Sequence, residues 1–415
     1  MREKLELRIS EHLIKISANK IAGTRIKENV SRAARIFRNG KLGTAVARGV
    51  TDFPSLIKRA EENMDYGLRY EYELPANNTY FKDFAEGYEN LSLKELNDIC
   101  ENVLNELTQK YPDYLFNGIA VTNLESKLLE NDLNLSLYEN HQMFYFVLFF
   151  KEKGGSNIMD GYIDYSSGSD IKLNQFLKHI EDLFSVYKSK QNLKSGVYPV
   201  ILVDDGMQKM LLDFFMQSLD GKRYFEKTSM LSGKIGEQVF NKSLSIVDSN
   251  LMPEYGIVNP FDMEGMIRDE NDLDVISCGV VKNVALDLAT AARFKKKSTA
   301  NGYRTYMENP KIEFSHINIK PNDKRLKEIL GGNEAIIPVV ASGGAYTDKG
   351  DFATPVQLAF LYKNGMISGR LPQIQISGNF FKMFNEDFLG CSSEKMIPYY
   401  PSNPFVIKMN IDTLN

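Results

Sequence analysis

The sequence predicts an α+β protein in two parts. An N-terminal α/β unit of mixed strands and helices is followed by a unit built on an antiparallel sheet or partly closed barrel. Three observations carry this reading. The 415 residues exceed the length at which a single core usually keeps growing. The longer helical patterns precede residue 220, and the strand patterns beyond it are many and short. Between the two lies a polar stretch, Lys188-Ser189-Lys190-Gln191-Asn192-Leu193-Lys194-Ser195-Gly196, too poor in apolar side chains to bury much surface. The expected domains are 1–190 and 195–415.

Leu5, Leu7 and Ile9 alternate as in a strand, and residues 12–21 continue it. Residues 31–48 read as short alternating pieces broken at Asn39-Gly40, a pair that tolerates positive φ and favours a tight hairpin. Asp52 and Pro54 mark a helix start, with Leu56, Ile57 and Ala60 on one face. Residues 75–90 read as a loop. Residues 92–110 place Leu96, Cys100, Val103, Leu104 and Leu107 at helical spacing. Strands are expected over 118–151, helices over 172–188 and 206–219. Short strands follow at 275–282, 336–341, 357–362 and 374–376.

Net charge is −4, which supplies no electrostatic case for nucleic acid or an anionic membrane. No run approaches the ~20 apolar residues of a bilayer span, and the charged start lacks a signal peptide's apolar region. A cytoplasmic location is expected. Cys100, Cys278 and Cys391 are far apart and form neither a disulfide framework nor a CxxC knuckle. The four histidines, His12, His141, His179 and His316, are equally scattered, so paired metal-ligand spacing is absent. Asp262 and Glu264 share one face of an extended segment, as a cation site or an acid–base pair requires. Turn chemistry is the plainer reading of both. Gly343-Gly344 ends a strand, where glycine marks a bulge or the close approach of another backbone.

Several segments then line up in order: Asn259-Pro260-Phe261-Asp262-Met263-Glu264-Gly265, Gly279-Val280-Val281, residues 286–293, Lys297-Ser298-Thr299-Ala300-Asn301-Gly302, Ser342-Gly343-Gly344, and the stretches at 360–367 and 374–380. Together they resemble the TldD/PmbA family, once called modulators of DNA gyrase, in its PmbA (TldE) branch. The resemblance covers residues 195–395 best. It implies peptide processing, in which TldD-type members carry a zinc-binding HExxxH helix. Aligned without a gap, that motif falls on Leu212, Asp213 and Gln217. Leucine has no lone pair to give and a neutral amide is a poor zinc ligand, so no metal is expected here. Ala300 stands where the family usually has glycine.

By resemblance, the chain is a non-catalytic subunit. It would help a zinc-bearing TldD-type partner bind and process peptides or unfolded protein. The expected peptide groove comprises Phe261, Asp262, Glu264, Gly265, Ser298, Thr299, Asn301, Gly343 and Gly344. The alternatives are a stand-alone peptide-binding homodimer and a hydrolase using a different site, such as Asp262 with Glu264.

Overall fold

The structure is a computed structural model and describes residues 1–87, 90–155, 159–203 and 205–414. Its first half is an eight-stranded sheet. Arg2–Ser17 and Lys20–Arg38 form one antiparallel hairpin around Ala18 and Asn19, both at positive φ. Lys41–Arg48 returns across Asn39-Gly40, at φ +52° and +69°, as the dipeptide predicts. Tyr114–Asn131 pairs with the first strand, and Leu135–Glu152 pairs with Tyr114–Asn131 along their whole lengths. Asn78–Asp83 joins Leu135–Glu152 in parallel.

These strands are far longer than the short pieces the pattern suggested: the first hairpin's arms have 16 and 19 residues. The reason is solvent. Near its tip the second arm is exposed on both faces, so no apolar alternation marks it, although backbone pairing with the first arm continues.

The helices begin where their caps lie. Asp52 accepts the Ser55 N–H at 2.8 Å to start Phe53–Glu62. Ser92 and Glu95 form a reciprocal capping box for Leu93–Lys110. That helix buries Leu96, Cys100, Val103, Leu104 and Leu107, and Leu173–Tyr187 buries Phe176, Ile180, Leu183, Phe184 and Tyr187.

In the second half five strands close a barrel: Gly196–Leu202, Phe405–Thr413, Ile374–Asn379, Asp351–Lys363 and Ala335–Ala341, the last pairing with both Asp351–Lys363 and Gly196–Leu202. The helix Asp205–Ser218 packs Leu211, Leu212 and Phe215 into the core of this half. A four-stranded sheet containing Ile246–Ser249, Asp272–Ser277 and Ile317–Ile319 lies beside it.

The barrel strands serve two cores at once. Val200, Leu202, Ala359, Leu361, Phe405 and Ile407 belong to the C-terminal core. Their neighbours Ile201, Val203, Leu358, Phe360 and Val406 pack instead with Phe116, Phe150, Tyr165 and Phe184 of the first half. Successive side chains on a strand point to opposite faces, so burial on both faces yields the unbroken apolar runs seen in the sequence. The polar stretch after residue 187 also runs close to the barrel: Arg370 N–H donates to Ser189 O at 2.7 Å, and Gln191 N–H to Arg370 O at 2.8 Å. No helix among the described residues is long and apolar enough to cross a membrane.

A buried ion pair fastens the first strand to the second half. Arg304 Nη2 donates to Glu3 Oε1 at 2.5 Å and Arg304 Nε to Met263 O at 2.8 Å. Glu3 and Arg304 are 4% and 1% exposed, so solvent screens the pair little. Nearby Arg35, 2% exposed, is pushed down to about 10 by burial and by the charge of Arg304. Removing one partner strands the other charge in the interior. Arg304→Met is expected to cost about 3–5 kcal/mol in urea unfolding, and Glu3→Met combined with it to restore most of that loss. Additive costs in the double variant would show that the pair is not coupled.

Candidate functional site

The segment Phe261–Gly265 turns on one carboxylate. Asp262 Oδ1 accepts the N–H groups of Glu264 and Met266, each at 2.9 Å, and Oδ2 accepts the Gly302 N–H at 2.9 Å. Burial raises its pKa to about 6 against the lowering effect of those three bonds. Glu264 Oε2 accepts the Leu288 N–H at 2.7 Å, at the start of the Leu288–Arg293 helix. Burial first, and then the charge of Asp262, hold Glu264 well above the usual carboxylate range. A Cβ on Gly302 would lie 2.3 Å from Glu264 Oε2, so only glycine fits beneath this carboxyl. Asp262 is thus spent on three main-chain donors and Glu264 gives one oxygen to a fourth, and both organise the turn. Gly265, at φ +88°, packs against Leu129 and Leu135 of the first half.

The segment Ser298–Asn301 is braced in the same way. Thr299 Oγ1 accepts the Leu286 N–H at 2.7 Å and donates to Asn301 Oδ1 at 2.8 Å. Asn301 Nδ2 donates to Asp248 Oδ2 at 2.9 Å and to Glu313 O at 2.8 Å. Asp248, wholly buried, also pairs with Arg268 Nη2 at 2.5 Å, while Arg268 Nε donates to Thr299 O at 3.0 Å. Asp248, Arg268, Arg304 and His316 were not singled out as site residues from the sequence. Their partners lie far along the chain, and no local spacing announces them.

The helix that aligns with the zinc motif presents a different face. Leu212 is 1% exposed and points into the core, whereas Asp213 and Gln217, four residues apart, lie together at its surface. Gln217 Nε2 donates to Asp213 Oδ2 at 2.5 Å, and its Oε1 accepts Arg223 Nη1 at 3.4 Å. A guanidinium beside the site and a leucine turned inward do not fit a zinc ion. Among the described residues no three His, Cys, Asp or Glu side chains are grouped to hold a metal.

The nine expected groove residues do not line one groove. Gly344 lines a cavity of about 390 Å³ with Asp213, Gln217 and Arg223. Phe261, Asp262 and Asn301 line a second, of about 250 Å³, together with buried Lys127. Ser298 and Thr299 border a third, of about 610 Å³, between Lys282, Lys296 and Arg268. Glu264 and Gly265 are held by the packing described above. Gly343 is placed by Thr354 Oγ1, which donates to its carbonyl at 2.7 Å.

Ala300 sits at φ +55°, in the left-handed region that favours glycine. Ala300→Gly is therefore expected to raise stability by about 1 kcal/mol in denaturant unfolding, after the entropic cost of the added glycine. A loss would show that the methyl group's packing outweighs the backbone strain.

Comparison with known proteins agrees with this architecture. Residues 195–401 match the PmbA/TldA metallopeptidase C-terminal domain. An uncharacterised protein of Methanocaldococcus jannaschii is 29% identical over 187 residues, 45% of this chain and 44% of that protein. A metalloprotease TldD homolog of Haemophilus influenzae is 24% identical over 218 residues, 52% of this chain and 45% of that protein. The matches thus span less than half the length of these curated relatives. The crystal structure of TldE from Thermococcus kodakarensis superposes with a TM-score of 0.84 at 19% identity, covering 99% of this chain and 96% of that one. Through residues 195–401, the chain belongs to the PmbA/TldD family.

Proposed function

We propose that this chain is a TldE-like, non-catalytic subunit that completes a peptide-binding chamber with a zinc-bearing TldD-type partner. The observation that carries the reading is the inward turn of Leu212, with Gln217 tied to Asp213 and Arg223. Peptide hydrolysis needs an activated water and an electrophile for the developing oxyanion, and zinc supplies both in the family's catalytic members. Without ligands for zinc, this helix has a binding role left to it. The Ala345–Tyr346 strand ends one path of the barrel sheet and borders the same cavity as Asp213 and Gln217. An extended peptide added there would be held through main-chain hydrogen bonds, which ignore most side chains and suit unfolded segments. Pairing with a second copy of this chain is the competing assembly.

Reconstitution with a disordered peptide tests the proposal. This chain alone is expected to stay at background, a TldD-type partner alone to be slow, and the mixture to cleave at least tenfold faster than the partner. Full activity in the partner alone would remove the subunit's role. Chelator-resistant cleavage by this chain alone would overturn the non-catalytic reading.

Restoring the motif with Leu212→His, Asp213→Glu and Gln217→His is expected to leave the protein without stoichiometric zinc by elemental analysis. It should also cost on the order of 2 kcal/mol, because an imidazole replaces a core leucine. About one tightly held zinc per chain would show that the helix needs only its ligands.

A further inference from the structure

A further cavity lies along the neighbouring face of the Asp205–Ser218 helix, bordered by neither Asp213 nor Gln217. It has a volume of about 310 Å³, within the range of small-ligand sites, and is bordered by Lys209, Met216, Phe314, Ser315, His316 and Ser402. His316 Nε2 lies 3.2 Å from Ser402 Oγ across 86 residues of sequence.

Both members are held from behind. The His316 N–H donates to Asp248 Oδ1 at 2.9 Å, and its carbonyl accepts the Ser249 N–H at 3.0 Å. Asp248 therefore fixes the main chain rather than the ring. Ser402 is 7% exposed. Its loop is pinned by Gln208 Nε2 donating to Asn403 O at 3.1 Å, Asn403 Nδ2 donating to Ser392 O at 2.8 Å, and Lys395 Nζ donating to Pro401 O at 3.2 Å. A serine and an imidazole within hydrogen-bond reach, both rigidly mounted on a cavity wall, meet the geometric requirement for a nucleophile and its base.

We propose that, apart from peptide processing, in which the chain stays non-catalytic, Ser402 and His316 form a nucleophile–base pair acting on small carboxylic esters. Ser402 Oγ attacks the acyl carbon while its proton passes to Nε2 of His316. The ester C–O bond breaks, and the alcohol leaves with that proton. Water then gives a proton to His316 and its oxygen to the acyl carbon. The Ser402 acyl bond breaks, the serine recovers the proton, and the carboxylic acid is released. Lys209, which also lines the cavity, is the positive charge available to the oxyanion.

The charged groups facing the imidazole are Asp248 on the Ile246–Ser249 strand, Lys209 on the helix, and Lys395 in the pinned loop. Burial, first, and the two lysines push His316 down to about 4, with Asp248 opposing. The ring is thus neutral above pH 5 and free to accept the serine proton, though as a weaker base than an ordinary imidazole.

The test is covalent labelling of the full chain with a fluorophosphonate, which loses fluoride as its phosphorus bonds a serine oxygen, followed by peptide mass mapping. The adduct is expected on Ser402, absent in Ser402→Ala and formed about a hundredfold more slowly in His316→Gln. Its rate should be flat from pH 5.5 to 8. No adduct on Ser402 in the unaltered chain would overturn the proposal, whether or not the variants fold. So would an unchanged rate in folded His316→Gln, or a rate falling with a midpoint near 6.5, which would assign the base to an ordinary exposed imidazole. The peptide-binding role of the cavity at Asp213 and Gln217 does not enter either outcome.

Discussion

The joint between the two halves depends on charges that cannot reach water. Glu3, at the start of the chain, meets Arg304 three hundred residues later, and Arg35 from the second strand lies alongside. Burying such groups is tolerable only when each stays close to an opposite charge or a main-chain oxygen. That requirement ties the register of the first hairpin to the position of the 300–304 segment. It thereby positions everything hung on that segment, including Asn301, Gly302 and the turn made by Asp262. The apolar seam adds bulk to the joint, but apolar contacts are non-directional, whereas a guanidinium between Glu3 Oε1 and Met263 O specifies one arrangement.

Around that joint the motifs of the family do structural work. Asp262 gathers three N–H groups, and Glu264 accepts the first N–H of the Leu288–Arg293 helix, whose cap is Asp287, and rests on Gly302. Asn301 and Arg268 converge on Asp248. Acidic residues at extended spacing are equally compatible with a cation site, and what separates the readings is the direction of their lone pairs. Here three main-chain donors aim at Asp262 and one at Glu264. The conspicuous motifs build a frame, and the cavities between its members are where ligands have room.

The Asp205–Ser218 helix stands between two of those cavities. One face carries Asp213, Gln217 and Met210 toward Gly344; another carries Lys209 and Met216 toward His316 and Ser402. Residues seven apart recur on the same side, and Lys209 and Asp213 are one turn apart, so the two cavities lie along adjoining faces of one helix. Its third face, with Leu211, Leu212 and Phe215, is committed to the core, which is why substitution at Leu212 alone cannot recreate a metal ligand.

Much of the fold was legible in the sequence because its signals are local. Asp52 and the Ser92–Glu95 box start helices through contacts three residues away, and Asn39-Gly40 turns a hairpin through its own dihedral preference. The mixed first half and a largely antiparallel barrel were readable from residue type and order, whereas the mismatch with the zinc motif at Leu212 and Gln217 came only through the family resemblance. The lengths of the first strands were not, because pairing with a neighbour extends a strand where no apolar alternation marks it. Nor was the division of the nine groove residues, six over three cavities and three held in packing or turns, since sequence order does not say which way a side chain points once a turn is closed. The approach of His316 to Ser402, of Asp248 to Arg268 and Asn301, and of Glu3 to Arg304 belongs wholly to the tertiary structure. Each pair is joined only in the closed tertiary fold, and burial then gives these few polar contacts a strength and a direction that no linear spacing encodes.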